Sequence, residues 1–255
     1  MIYLLYDHSF EGFLTAVFEV YEYKYNEVKI VKQDFYEPVM FSQTYQVITN
    51  TDKAQRVLKK LEKIIKTDGI RMLLFSFCSE DAQVEQFMYN AICYALQNPT
   101  QNVMTNYSHS SIMALSKFAK SVGREKHRME AFVRFELLKD SIYFAKIAPD
   151  FDVLLLIKRH FENRYQDQKW IIYDIKRNYG LYYDLNEVEV VHLELENKNS
   201  LKNDTNILSE TEINYQSLWK EYFDHTNIKE RKNNKLHIQN VPKRYWKYLS
   251  EKQPK

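Results

Sequence analysis

The sequence predicts an α+β fold: an antiparallel sheet with helices packed on one face, and several amphipathic helices in the N-terminal half. Two observations carry this. Over the first hundred residues, apolar side chains recur at i, i+3, i+4 and i+7 in three stretches, the period of a helix with one buried face. Residues 132–193 instead read strand, strand, helix, strand, strand, with one strand added. Short alternating runs bounded by turn residues are the mark of an antiparallel sheet.

Ile2–Tyr6 is a short apolar run that reads as a strand. Ser9 offers an N-cap to a helix whose apolar face is Phe10, Phe13, Leu14, Val17, Phe18 and Tyr21. Val28–Gln33 and Tyr45–Thr49 read as strands, and Ala54–Ile65 and Asp81–Leu96 as helices, the second stopped by Asn98-Pro99. A further helix starts near Ser110, with Gly123 turning the chain ahead of the charged run Arg124–Arg128. Phe132–Leu138 and Ile142–Ile147 pair through a turn at Lys139, Asp140 and Ser141. Asp150 or Asp152 caps a helix carrying Val153, Leu154, Ile157 and Phe161. Trp170–Asp174, Gly180–Asp184 and Val188–Leu193 are the remaining strands. Residues 196–206 read as a polar loop. Ser209-Glu210-Thr211-Glu212 then matches a capping box before an apolar face of Tyr215, Leu218, Trp219, Tyr222 and Phe223. The chain is expected to divide into 1–108, an N-terminal α/β part, and 109–255, a C-terminal α+β part bearing the basic clusters, packed together as one compact unit.

Composition excludes several function classes. The chain has 255 residues and only four glycines, Gly12, Gly69, Gly123 and Gly180, where ordinary usage gives about 18. No two share a loop, so neither the dinucleotide-binding turn nor the phosphate-cradling loop is possible. Any phosphate is held by side chains or helix ends. The two cysteines, Cys78 and Cys93, have no metal-ligand spacing, so no structural zinc, iron–sulfur cluster or other cofactor is expected. Their use fits a reducing cytoplasm. The start MIYLLYDHSFEG lacks a basic region before its short apolar run, unlike a signal peptide, and no stretch has the length of a membrane span.

The net charge of +2 hides a segregation. Asp184–Asp224 holds ten acids against three bases, Lys229–Lys247 seven bases against one acid, and Lys117–Arg134 six bases against two acids. On a helix turning about 100° per residue, Lys117, Lys120, Arg124, His127 and Arg128 share one face. Leu115, Ala119, Val122 and Met129 lie opposite. Such a ridge suits a phosphate backbone; it also suits a helix face that simply meets water. The tail VPKRYWKYL interleaves Lys243, Arg244 and Lys247 with Tyr245, Trp246 and Tyr248. This pattern serves phosphate contact with base stacking, and serves equally a docked segment with its lysines reaching outward.

Catalytic chemistry has no signature. Asp7 and Glu11, four apart where a strand meets a helix, suit Mg²⁺ or acid–base work, and also complement a helix N-terminus. His127, with Arg128 and Glu125 nearby, has the makings of a general base with phosphate clamps. No metal site is expected, and neither GxSxG nor HExxH occurs.

Five segments resemble a bacterial family described as "probable DNA metabolism protein", which contains a domain of unknown function. They are YDHSFEGFLTAVFEVYE (6–22), VGREKHRMEAFVRFELL (122–138), YFAKIAPDFDVLLLIKRHF (143–161), QKWIIYDIKRNYGLYYD (168–184) and ERKNNKLHIQNVPKRYWKYLSE (230–251). In that pattern glycine often stands where this chain has His8, and proline at Asn234. The resemblance implies a gene neighbour of the radical-SAM class, related to spore photoproduct lyase, and in some members a fused uracil-DNA-glycosylase-like domain. It supplies no catalytic residue.

Together these readings give an accessory DNA repair or modification protein, with DNA and a radical-SAM enzyme as partners and no membrane. Lys117, Lys120, Arg124, His127, Arg128, Lys243 and Arg244 would meet phosphate, and Tyr245 and Trp246 would stack on bases. Five neutralised phosphates imply a slope of log K against log salt of about −4 to −5. Two alternatives remain. One is an interaction scaffold for the same partner without DNA contact, using the acidic stretch Asp184–Asp224. The other is a hydrolase of damaged DNA acting through Asp7, Glu11 or His127.

Overall fold

The apolar run at the N-terminus becomes the centre of a parallel sheet. β1 (Ile2–Tyr6) lies between β2 (Val28–Lys32) and β3 (Gln43–Gln46), parallel to both. A central parallel strand is covered on both faces and so reads as continuously apolar; Leu4 and Tyr6 are fully buried. The computed structural model describes residues 1–192, 209, 212, 215, 218 and 234–252. The chain falls into two units, Met1–Gly123 and Arg124–Lys255.

In the first unit, α1 (Phe10–Glu22) begins at Ser9, whose hydroxyl accepts from the Gly12 N–H at 2.9 Å. It buries Phe13, Leu14, Val17 and Val20. The turn that launches it needs a left-handed residue, and His8 supplies it with φ 67°. α2 (Thr51–Phe77) is capped by Asn50, which accepts from the Lys53 N–H at 3.0 Å. It is two helical pieces in tandem, broken at Lys66, whose φ of 59° is not helical. The second piece was not legible as a helix, because Ile70–Phe77 is apolar almost throughout and shows no period. α3 (Val84–Gln97) packs against α2 and β2. Its buried Glu85 accepts from the Tyr6 hydroxyl at 2.8 Å and stands 3.5 Å from Lys32 Nζ.

α4 (Ser110–Phe132) runs without interruption through Gly123, correcting the expected turn there. Its first part is tied to α2 by the Ser76 hydroxyl, which donates to the Leu115 carbonyl at 2.9 Å. An interior glycine costs a helix roughly 0.5–1 kcal/mol relative to alanine, and the helix runs on through it.

The second unit holds a five-stranded sheet ordered β4 (Glu136–Leu137), β5 (Tyr143–Ile147), β6 (Trp170–Asp174), β7 (Tyr179–Tyr183) and β8 (Val188–Val191). The fold class is α+β. The sheet itself is mixed, where an antiparallel one was expected: β5 and β6 are parallel and the other three pairs antiparallel. The cause is α5 (Leu154–Arg164), which carries the chain back between them as a crossover. α5 packs on β7 and buries Leu154, Ile157 and Phe161. The expected cap at Asp150 or Asp152 is not made; Val153 precedes the helix with no side-chain cap. Asp152 instead accepts from the Tyr179 hydroxyl. α6 (Asn234–Asn240) leads into a 3₁₀ segment, Lys243–Tyr248.

Ser209 and Glu212 meet β4. The Ser209 N–H donates to the Leu137 carbonyl, and the Glu212 carboxylate accepts from the Leu137 N–H, both at 3.0 Å. They give the short edge strand a donor and an acceptor. The loop expected at 196–206, Trp219, Tyr222 and Phe223, most of the acidic stretch, and Lys229, Arg231 and Lys232 lie outside the described residues.

Candidate functional site

Along α4, Lys117, Lys120, Arg124 and His127 are all exposed. Their spacing of three, four and three residues keeps them on one side of the helix, over about 15 Å at 1.5 Å per residue. Opposite them Leu115, Val122 and Met129 are buried. Among the described residues, Lys117 and Lys120 form no ion pair. The His127 ring is 86% exposed, with Nδ1 3.9 Å from Glu130. Lys126 points to the other flank and pairs with Glu130.

Arg128 behaves differently. It leans 3.5 Å from Glu125, one turn back, and Glu125 is only 1% exposed. This carboxylate gathers four partners within the second unit. The Tyr245 hydroxyl donates to it at 2.5 and 2.6 Å to its two oxygens, Arg244 reaches it at 3.2 Å, and the Asp150 N–H donates at 2.9 Å. Arg244 also pairs with the Asp150 carboxylate at 2.7 Å and donates to the Tyr245 oxygen at 2.6 Å. Asp150 is fixed from its other side, where its carbonyl accepts from Lys176 Nζ at 3.0 Å and Arg177 at 3.3 Å. Arg177 in turn holds the fully buried Asp174 at 2.7 Å. One continuous polar network therefore ties α4, the β5–α5 loop, the β6–β7 turn and the KRYW segment. Burial, then the hydrogen bond and charge of Glu125, push the Tyr245 hydroxyl well above its usual value. It stays protonated and donating.

The REKHR turn and the KRYW segment thus meet, but they meet on a buried carboxylate. Tyr245 is 2% exposed, with its ring 5.4 Å from that of Phe132. Trp246 is half-buried; its indole N–H donates to the Val241 carbonyl at 3.0 Å. Lys243 is exposed, 6.0 Å from the Trp246 ring. Sequence reading set Glu125 beside His127; what it missed is that this acid inside a basic run is buried and holds the KRYW segment.

The weak catalytic candidates are placed as follows. Asp7 accepts from the Ser9 N–H and hydroxyl at 3.1 and 2.6 Å and from the Thr49 hydroxyl at 2.7 Å. Partial burial pushes its carboxyl up, but these hydrogen bonds outweigh that and hold it below the usual range. It organises the turn before α1. Glu11 is exposed in the first turn of α1, where its charge complements the helix dipole. Among the described residues no group of three His, Cys, Asp or Glu is placed to hold a metal ion. No described helix is long and apolar enough to cross a membrane.

A family model described as a domain of unknown function, DUF4130, matches residues 82–251, two thirds of the chain. No curated protein matches.

Proposed function

Given that this chain belongs to the DUF4130 family, a domain of unknown function, we propose that it is an accessory DNA repair or modification protein. In this reading it holds nucleic acid by its phosphates and works with a radical-SAM enzyme, the partner that the sequence resemblance implies. The observation that carries the reading is the unbroken course of α4, which keeps Lys117, Lys120, Arg124 and His127 exposed on one side. Exposed basic side chains at one-turn spacing match phosphate contact. The network at Glu125 supports it indirectly, tying the C-terminal end of α4 to the β5–α5 loop and the KRYW segment.

The test is DNA retention by the full chain at about 50 mM salt. The expected result is binding that weakens steeply with added salt. It should be lost on joint reversal of Lys117, Lys120 and Arg124 to Glu, with the circular dichroism spectrum unchanged. Wild-type protein that retains neither single- nor double-stranded DNA at low salt would overturn the proposal.

A second reading is a scaffold that grips the partner enzyme without DNA. It is favoured by Met40, Phe41 and Ile48, which are 81%, 96% and 81% exposed. They flank β3, an edge strand without a charged residue. Uncharged edges beside apolar side chains invite pairing with another chain. Co-purification with the partner that survives high salt, with no DNA retention, decides for it.

A further inference from the structure

Three of the four glycines are dictated by their neighbours. A Cβ would lie 2.2 Å from Asp7 Oδ1 at Gly12, 2.6 Å from Ile65 Cβ at Gly69, and 2.9 Å from Tyr173 Cδ2 at Gly180. Gly123 is different. A Cβ there meets only the Phe75 ring, at 3.7 and 3.8 Å, which is ordinary contact. Its φ is not positive, and it occupies a helix interior, where alanine is preferred. Neither sterics nor backbone conformation asks for glycine at this position.

What Gly123 does line is a cleft of about 330 Å³ in the first unit, between the second piece of α2 and α4. α2 contributes Asp68, Arg71 and Phe75, spaced to share one face; α4 contributes Ser116, Lys120 and Gly123. The Arg71 guanidinium stands 5.0 Å from the centre of the Phe75 ring.

We infer that this cleft receives one unstacked nucleotide of a single DNA strand, with preference for a base bearing an exocyclic amino group. The inference rests on the reading that α4 holds phosphates, and deepens it. Lys120 belongs to both the exposed face and the cleft, so a strand following α4 brings a nucleotide to the opening. The planar guanidinium of Arg71, laid on Phe75, is a platform on which a base stacks. Asp68 is out of place in a phosphate groove, since its carboxylate repels phosphate. It is well chosen to accept from a base amino group. The missing side chain at Gly123 leaves the space. Bases stacked in a duplex cannot enter it.

The experiment is fluorescence anisotropy of the full chain with short oligo-dC, short oligo-dT and a hairpin duplex. Wild type should bind oligo-dC about tenfold more tightly than oligo-dT, and Asp68→Asn should remove that difference. Arg71→Gln and Gly123→Leu should each weaken oligo-dC about tenfold and leave the duplex unchanged. Gly123→Ala, a gain for the helix, should raise the melting temperature while weakening oligo-dC, which a purely structural role for this position would not do. Folded Arg71→Gln and Gly123→Ala variants that bind oligo-dC like wild type overturn the inference. If reversal of Lys117 and Arg124 weakens every DNA while these variants change nothing, the cleft alone falls. If wild type binds no DNA, both readings fall.

Discussion

The Tyr245 hydroxyl and the Glu125 carboxylate, 120 residues apart in sequence, form a buried contact of 2.5 and 2.6 Å. A buried carboxylate is tolerable only when its lone pairs are met, and here Tyr245, Arg244, Arg128 and the Asp150 N–H meet them. Glu125→Ala leaves the buried Tyr245 hydroxyl and the Asp150 N–H without their acceptor, while Arg244 keeps Asp150, and should cost about 1–3 kcal/mol. Tyr245→Phe removes one charge-assisted bond and should cost about 1.5–3 kcal/mol. Because both changes strike one network, the double variant should lose less than the sum of the two. Urea unfolding of the four proteins measures this; strict additivity would mean the contact carries no energy of its own.

The same contact shows where the sequence stopped being informative. The basic-aromatic pattern of VPKRYWKYL is genuine, and its two uses are indistinguishable in composition. What separates them is a partner 119 positions upstream of Arg244, beyond any local period. Lys117, Lys120 and Arg124 were legible because helical spacing alone decides which side they take. Arg71 was not, because it lies in the piece of α2 whose apolar density hides its period.

His8 offers a second prediction. It holds φ 67° in the turn before α1, where the resembling family often has glycine. A left-handed residue other than glycine costs about 1–2 kcal/mol. Glycine returns part of that through greater unfolded-chain entropy, about 0.4–1 kcal/mol. The ring of His8 also lies 5.5 Å from that of Phe35. His8→Gly should therefore stabilise by about 0.5–1 kcal/mol in urea unfolding. A destabilised variant would show that the Phe35 contact and the approach of His8 Nε2 to Asp34, at 3.3 Å, together outweigh backbone strain.

Asp7 gives the pH dependence a sign. Its folded carboxyl titrates below the ordinary range because Ser9 and Thr49 donate to it. Its contribution is therefore complete above the unfolded value of about 3.9 and is lost as pH falls through the lower folded one. Asp7→Asn should lower the urea midpoint at about pH 6, with the gap narrowing below about pH 3.9. A gap that stays constant with pH would mean Asp7 acts through shape alone. Gly12→Ala, whose Cβ would press on Asp7 Oδ1, should mimic the loss.

The sheet of the second unit was legible strand by strand. Trp170–Asp174 is found where alternation places it, and β7 begins one residue before the expected Gly180. Strand direction was not legible. Whether α5 carries the chain to an adjacent parallel strand depends on which face it packs, and that is set by contacts such as those between α5 and β7. The short β4 was over-read: of the expected Phe132–Leu138, α4 takes Phe132; Val133, Arg134 and Phe135 belong to neither helix nor strand; and only Glu136 and Leu137 pair with β5.

The salt dependence separates interface from scaffold. Five phosphate contacts were expected, including Arg128 and Arg244, yet both are drawn to Glu125, at 3.5 and 3.2 Å. A cation already neutralised by a buried acid releases few counterions when DNA arrives. Of the five, Lys120, Arg124 and Lys243 remain exposed, so the slope on duplex should be about −3 instead of −4 to −5. Lys120→Gln should reduce its magnitude by about 1 and leave stability within about 0.5 kcal/mol. Arg244→Gln should do the opposite, leaving the slope unchanged and lowering stability, because Glu125 and Asp150 both lose a partner. A slope that flattens in Arg244→Gln would return this guanidinium to the phosphate interface, with Glu125 holding it in readiness.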